Sequence, residues 1–160
     1  MWISPTKSFK DLGGVPGQGS VAGPTGTQIP AWTRQLTRAK MFDNLIANID
    51  PNLGNWLVDP HWNLILIDHT RAFTSSKDLF HKILNVDDEL WEKMKALDEA
   101  TLTERIGKLV GKGLIPPILH PPHKIHLHFH NLKKSYPELI FPISAPESRK
   151  TASSKVASGA

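Results

Sequence analysis

Residues 31–67 read AWTRQLTRAKMFDNLIANIDPNLGNWLVDPHWNLILI, and this stretch decides the fold. In its first half, apolar side chains recur at steps of three and four residues, which predicts one buried face of a helix of about four turns. The residues of that face are Trp32, Leu36, Ala39, Phe42, Leu45 and Ile46. The helix should end near Asn48, because Pro51 disfavours helical geometry at the residue before it.

The second half of the stretch predicts a β-hairpin. Two short runs of apolar and β-branched residues, at 56–58 and 62–67, flank the turn-forming sequence Asp59-Pro60-His61. The tryptophans at apolar positions of the predicted helices and strands are expected to pack in the core and not to stack on a nucleobase. They are Trp32, Trp56, Trp62 and Trp91.

Residues 1–30 hold six of the eleven glycines and four of the thirteen prolines, without sustained apolar periodicity. Gly17, Gly19 and Gly23 have the spacing GxGxxxG, which differs from a nucleotide-binding loop. No clear strand precedes these glycines, and no Lys follows them at the phosphate-binding position. The composition therefore predicts a flexible leader.

After the hairpin the chain is predicted to be helical. Segments 77–84 and 86–97 predict two short helices, and Thr101 with Glu104 has the spacing of a capping box that begins a third. Residues 124–134 can form a last helix after a proline-rich stretch.

The predicted fold class is α+β, with mostly helices packed on one small hairpin. The flexible leader at 1–30 precedes a core at 31–142. Residues 143–160, of low complexity and rich in Ser and Ala, predict a disordered tail.

The bulk composition excludes several classes of protein. A chain of 160 residues suits one domain, and the absence of cysteine excludes disulfides, thiol catalysis and cysteine-ligated zinc. The net charge of +4 is spread along the chain, so nucleic acid is not an expected partner. The sequence shows neither a secretory signal nor an apolar run long enough for a membrane span, which predicts a cytoplasmic protein.

The connection NIDPNLGN, residues 48–55, carries the candidate chemistry. Phosphoryl transfer needs a carboxylate that takes or orients the proton of the attacking hydroxyl, and oxygen ligands for magnesium. Asp50 is the candidate base, and Asn55 and Asp68 are the candidate magnesium ligands that would also bind the nucleotide. Asp-x-x-x-x-Asn is the spacing of base and carboxamide in protein kinases. On spacing alone, plain turn chemistry is the favoured interpretation of Asp-Pro-Asn-x-Gly.

The stretch RQLTRAKMFDNLIANIDPNLGNWLVDPHWNLILIDHTRAF resembles the C-lobe core of an uncharacterised bacterial family of kinase-like proteins. Its motifs are similar to those of phosphoinositide kinases and HipA-type toxin kinases, which carry Asp-x-x-x-x-Asn followed by an Ile-Asp pair. The similarity extends through LDEATLTERIGKLVGKG and more loosely through IHLHFHNL, and so covers about residues 32–132. This resemblance implies a kinase-like C-lobe with ATP and magnesium as cofactors.

Two departures from the family pattern bear on activity. Only about 30 residues precede the first helix, and they contain neither a glycine-rich cover nor a convincing strand for Lys7 or Lys10. Pro51 stands where the family has Arg, and Pro cannot donate a hydrogen bond to phosphate. We therefore expect a truncated phosphotransferase whose N-lobe is missing or supplied by a partner chain. The alternative is a catalytically inactive C-lobe fragment that acts as a binding or interaction module.

Five of the eight histidines lie at positions 120, 123, 126, 128 and 130. His126 and His130 would share a helix face and could chelate zinc or nickel. No patterned acidic partner lies nearby, so an amphipathic helix with partly exposed histidines is favoured. For His69, which follows Asp68, a capping or packing role is expected.

Overall fold

A computed structural model describes residues 5–50, 52–74, 76, 78–111, 113, 115 and 130–141. The protein is α+β, as the sequence predicts, with helices packed against a small antiparallel sheet. The predicted tail lies outside the described residues, as does most of the predicted last helix. Of that helix, the part from residue 130 onward is described, and residues 130–135 are helical.

Helix α1 spans Gln28–Leu45 and begins three residues earlier than the apolar pattern indicates. Pro30 is accommodated in its first turn, where the backbone N–H has no intrahelical partner. The helix ends before Ala47, which has a positive φ of 47°. The predicted apolar face is buried except at Phe42, whose exposure is 40%.

A three-stranded antiparallel sheet lies beside α1. It has the order β1-β2-β3, with β1 at Lys7–Ser8, β2 at Trp56–Val58 and β3 at Leu64–Leu66. Strands β2 and β3 form the predicted hairpin. At the hairpin turn, the Asp59 carboxylate accepts hydrogen bonds from the backbone N–H groups of His61 and Asn63, each at 2.8 Å. The Asp-Pro turn that the sequence predicts is therefore held by its own Asp.

The segment predicted to be a flexible leader is part of the fold from Lys7 to Pro16. Phe9 is fully buried, with its ring centroid 5.9 Å from that of Trp32 and 5.7 Å from that of Trp56. The carbonyl oxygen of Pro16 accepts a hydrogen bond from Nε1 of Trp32 at 3.0 Å. For these residues the prediction of a flexible leader is wrong, because a two-residue strand is too short to show a periodic pattern.

The predicted helix at 77–84 is also wrong for its described residues, 78–84, which are irregular. The buried side chain of Asn44 binds the backbone there. Its Oδ1 accepts from the N–H groups of Phe80 and His81, and its Nδ2 donates to the carbonyl of His81. These backbone groups bond to α1 and not to a helix of their own. Ile83 is nevertheless buried, as its apolar character predicts.

Helix α2 covers Asp88–Lys95, and helix α3 covers Glu99–Val110. The sequence places both starts wrongly, and in both cases an Asp side chain explains the true start. Val86–Asp87 forms strand β4, parallel to β5 at Ile140–Phe141, and Asp87 caps α2. Asp98 caps α3 by accepting from the N–H of Thr101, so Thr101 is the capped residue and not the cap.

The core has two apolar clusters, and α1 contributes to both. Trp32, Leu36 and Ala39 pack with Phe9 and the sheet, whereas Met41 and Leu45 pack with the segment after the hairpin and with α2. The predicted core positions of Trp32, Trp56 and Trp91 are confirmed by exposures of 6% or less, and Trp62 is partly buried. Within the residues described, no helix has the length and apolar character that a membrane crossing requires.

Candidate functional site

Two loops run side by side at one end of the hairpin. The α1 loop follows helix α1 and comprises residues 46–50 and 52–55; the β3 loop follows strand β3 and comprises residues 67–74. The N–H of Ile49 donates to the carbonyl of Arg71 at 3.2 Å, and the N–H of Phe73 donates to the carbonyl of Ile46 at 2.5 Å. These bonds join the two loops along much of their length.

The two candidate magnesium ligands lie just beyond the ends of neighbouring strands: Asn55 directly precedes β2, and Asp68 is two residues after the end of β3. The N–H of Ile67 donates to the carbonyl of Asn55 at 2.9 Å, which extends the β2–β3 pairing by one residue. Asp68 is the next residue of the chain, so it follows directly on a residue bonded to Asn55. Asp50 follows Ile49, which is bonded to the β3 loop. The three predicted site residues therefore belong to the same pair of loops, at the hairpin end opposite the Asp59 turn.

Asp68 is exposed and is held in a defined conformation. Its Oδ1 accepts hydrogen bonds from the Thr70 hydroxyl at 2.6 Å and from the Thr70 N–H at 3.3 Å. These bonds, the hydroxyl one first, hold the pKa of the Asp68 carboxyl below its ordinary value, so the group is charged at neutral pH. Its φ of 54° is uncommon for a residue other than glycine. A charged carboxylate is thus presented to solvent on a strained loop.

The α1 loop is shaped by two asparagines. Oδ1 of Asn48 accepts from the N–H of Asp50 at 3.2 Å, and Oδ1 of Asn52 accepts from the N–H of Gly54 at 2.8 Å. Turn chemistry therefore accounts for Asn48, Asn52 and the short 3-10 turn Leu53–Asn55. Turn chemistry leaves the half-buried Asp50 and Asn55 available for another role.

Lys10 approaches this end of the hairpin from the N-terminal segment. Its N–H donates to the carbonyl of Leu53 at 3.3 Å, and a methyl group at Gly54 would lie 4.0 Å from Cδ of Lys10. Lys7 does lie on a strand, contrary to expectation, but it pairs with Val58 towards the hairpin turn. Lys10 is therefore the lysine of this segment that lies beside the predicted site residues.

A buried polar cluster at the end of α1 is absent from the sequence-based predictions. Its centre is Asp43, whose exposure is 1%. Oδ2 of Asp43 lies 2.9 Å from Nε2 of His81, and Oδ1 lies 3.5 Å from Nε2 of His69. Nδ2 of Asn48 donates to Oδ1 at 3.4 Å. The sequence signal that could have revealed this cluster is the position of Asp43, four residues after Ala39 on the buried face of α1.

The histidines of this cluster also make ring contacts. The ring of His69 packs edge-on against Phe42 at 5.8 Å, which confirms the packing role expected for His69. The ring of His81 lies 5.1 Å from that of Trp56, the residue after Asn55. The cluster thus contacts the α1 loop, the β3 loop and the hairpin.

The fit of a magnesium ion depends on the chemistry of its donors. In the described part of the chain, no group of three or more His, Asp or Glu side chains is arranged to hold a metal ion. Magnesium is commonly held by one or two carboxylates together with phosphate oxygens and water. One charged carboxylate at Asp68 and one carboxamide at Asn55 fit that mode, in which the nucleotide supplies further ligands. The histidines at 120, 123, 126 and 128 lie outside the described residues, and His130 is exposed on a helix.

Comparison of the chain with protein-family models, with curated proteins and with solved structures gave no match. The resemblance to kinase-like proteins therefore stays a prediction from the sequence motifs.

Proposed function

We propose that this chain carries the catalytic half of a kinase-like phosphotransferase that uses ATP and Mg²⁺. The observation that supports this most is the pairing of the α1 loop with the β3 loop, because it keeps Asp50, Asn55 and Asp68 at one end of the hairpin. A plain hairpin connection would need neither a second bonded loop nor an exposed, charged carboxylate at its end.

Each residue has a role that suits its surroundings. Asp50, half-buried and fixed through Asn48, would accept or orient the proton of the attacking hydroxyl. Asn55 and Asp68 would hold the magnesium ion, with Asn55 adding an oxygen ligand that carries no charge. When bound, the ion neutralises charge on the phosphates during transfer. Thr70 would keep the Asp68 carboxylate oriented and ionised.

The proposal includes a partner for the exposed side of the site. Ile49, Leu53 and Ile67 belong to the paired loops and have exposures of 37%, 40% and 40%. Apolar side chains grouped on a surface are typical of an interaction site. We propose that an N-lobe from a partner chain covers them and contacts the nucleotide, and that the assembly acts in the cytoplasm.

The same exposed side chains favour a second candidate function, in which the chain is an inactive C-lobe that serves as an interaction module. Pro51, in the place of an Arg that could bind phosphate, favours this alternative as well. The two candidates differ in whether the chain binds a nucleotide through magnesium.

Calorimetric titration of ATP, with and without Mg²⁺, tests the proposal on wild type and the Asp68→Asn variant. An Asn side chain can still accept from Thr70, so the loop should persist while the charge is lost. We expect magnesium-dependent binding in wild type, and at least about tenfold weaker binding in the variant, because a charge-assisted contact contributes about 1.5–3 kcal/mol.

Asp59→Asn is the matched control, because it makes the same change in a carboxylate at the other end of the hairpin. This control should bind ATP as wild type does. If wild type shows no magnesium-dependent binding, the phosphotransferase proposal is wrong and the interaction module is favoured. Equal binding by Asp68→Asn and Asp59→Asn would remove Asp68 from the site.

A further inference from the structure

We infer that Asp43 is the positioning residue of this site, because it joins the loop that carries Asp50 and Asn55 to the loop that carries Asp68. This inference rests on the proposed function and deepens it. Asp43 lies inside helix α1, two residues before its last residue, and does not belong to either loop. Its role would be to set the distance between the base and the metal-binding side chains.

The burial of Asp43 is the first step of the argument. A carboxylate of 1% exposure destabilises the fold unless donors compensate for its lost hydration. Asp43 has such partners from three segments: His81 near Oδ2, and Asn48 and His69 near Oδ1. Nδ2 of Asn48 donates to Oδ1, and Nε2 of His81 lies at hydrogen-bond distance from Oδ2, so each oxygen of the buried group has a polar partner.

The second step follows the contact into the α1 loop. Asn48 is 3% exposed and bonds to Asp43 twice, through its side chain and through its backbone N–H, which donates to the Asp43 carbonyl at 3.0 Å. The other side-chain atom of Asn48, Oδ1, accepts from the N–H of Asp50. Asp43 is therefore connected to the candidate base through a single residue.

The third step follows the contact into the β3 loop. His69 is the residue after Asp68, and its Nε2 lies 3.5 Å from the same Oδ1 that Asn48 contacts. One oxygen atom of Asp43 thus faces a residue of each loop. The positive φ of Asp68 must be maintained by its surroundings, and the contact of His69 with a buried residue is one such restraint.

The fourth step concerns the other oxygen, which anchors the carboxylate. His81 is held in place by Asn44, which binds both the N–H and the carbonyl of His81. The shorter contact, at 2.9 Å, is the one to His81. The contact with His81 thereby holds Oδ2 of Asp43 in place, while Oδ1 faces the residues of the two loops.

The test combines amide hydrogen exchange with the ATP titration, on Asp43→Asn and His69→Phe. Phe keeps a ring against Phe42 but removes the nitrogen that faces Asp43. The amides of Ile49 and Phe73 report the pairing of the two loops, because each bonds to the opposite loop. We expect their exchange to be up to about tenfold faster in both variants, as for the loss of one polar contact to a buried group.

The Mg²⁺ concentration for half-maximal ATP binding should rise several-fold in His69→Phe. His61→Phe, at the exposed hairpin turn, is the matched control and should change neither quantity. If Asp43→Asn does not fold, His69→Phe decides alone. Unchanged exchange of Ile49 and Phe73 in His69→Phe would overturn the inference.

The same measurements distinguish two further outcomes, a general loss of stability and a failure of the proposed function. Equally faster exchange of the amides in α3, which belongs to neither loop, would mean a general loss of stability and would also overturn the positioning role. If wild type binds no ATP in the presence of Mg²⁺, the proposed function fails, while the exchange of the two amides still decides whether Asp43 couples the loops.

Discussion

At the scale of single residues, the side chains that shape the loops differ from those proposed to carry the chemistry. Asn48 and Asn52 use their carboxamide oxygens on backbone N–H groups two residues further along. The Asp68 carboxylate is exposed and accepts from Thr70 at Oδ1, which leaves Oδ2 as the oxygen proposed to bind the magnesium ion. The chemistry proposed for the site therefore needs no change in the hydrogen bonds of the loops.

The candidate base can be tested by Asp50→Asn. We expect ATP hydrolysis, with water as the acceptor, to fall by about a hundredfold or more, because a general base contributes about 10²–10⁴ to the rate. Magnesium-dependent ATP binding should stay within about threefold of wild type, since a base adds little to ground-state binding. Hydrolysis equal to that of Asp59→Asn would remove Asp50 from this role.

Lys10 offers a positive charge beside the site. Since its stem lies against Gly54, we expect Lys10→Gln to weaken ATP binding by about twofold to tenfold, with a smaller effect in high salt because exposed charges are screened. Lys7→Gln removes an equal charge at the other end of β1–β2 and should have little effect. Identical affinities for the two variants in calorimetry would mean that Lys10 does not contact the nucleotide.

At the scale of elements, Asp side chains decide where α2 and α3 begin. Asp87 caps α2, and Asp98 caps α3 through the N–H and the hydroxyl of Thr101. Hydrogen bonds from Thr101, the backbone one first, hold the pKa of the Asp98 carboxyl below its ordinary value. The start of α3 is thus stabilised by a charged group.

This charge makes a pH-dependent contribution that Asp98→Asn should reduce. A carboxyl whose pKa is lower in the folded state stabilises the fold above its unfolded pKa, of about 3.9, and stops doing so as pH falls through the lower folded value. We therefore expect Asp98→Asn to lose less stability than wild type between pH 7 and pH 3. Melting temperatures at both pH values measure this loss, with the exposed Glu104→Gln on the same helix as control. A loss in Asp98→Asn as large as that of Glu104→Gln would contradict the capping role.

At the scale of the whole molecule, the N-terminal segment completes one of the two cores. Phe9 fills the space between Trp32 of α1 and Trp56 of β2, and strand β1 covers one edge of the hairpin. Strand β2, which follows Asn55 directly, is thereby supported on both edges, by β1 and by β3. The part of the site at Asn55 is consequently attached to a sheet that packs in the core.

Phe9→Ala should lower the free energy of unfolding by about 3–5 kcal/mol, the usual range for removing a buried aromatic ring from a core. Chemical denaturation followed by tryptophan fluorescence measures this change, because two of the neighbours of Phe9 are tryptophans. Leu109→Ala is the control, since Leu109 has an exposure of 83% and should cost little. Equal midpoints for the two variants would show that the N-terminal segment is not part of the folded core.

The sequence by itself determined the α+β class, the order helix–loop–hairpin, and the Asp59 turn. These features follow from local periodicity and local turn chemistry, which act over a few residues. It also singled out Asp50, Asn55 and Asp68, and the hairpin between Asn55 and Asp68 accounts for the pairing of the residues beside these two.

Only the tertiary structure decided the packing of Phe9, the irregular path of residues 78–84, and the cluster around Asp43. In each case the deciding partner is distant in the chain: Phe9 meets Trp56, the backbone of Phe80 bonds to Asn44, and Asp43 faces His81. A buried side chain that bonds to a distant backbone or imidazole leaves no periodic pattern in the sequence. Such contacts exist only once the chain has folded, because burial is what removes the competing water.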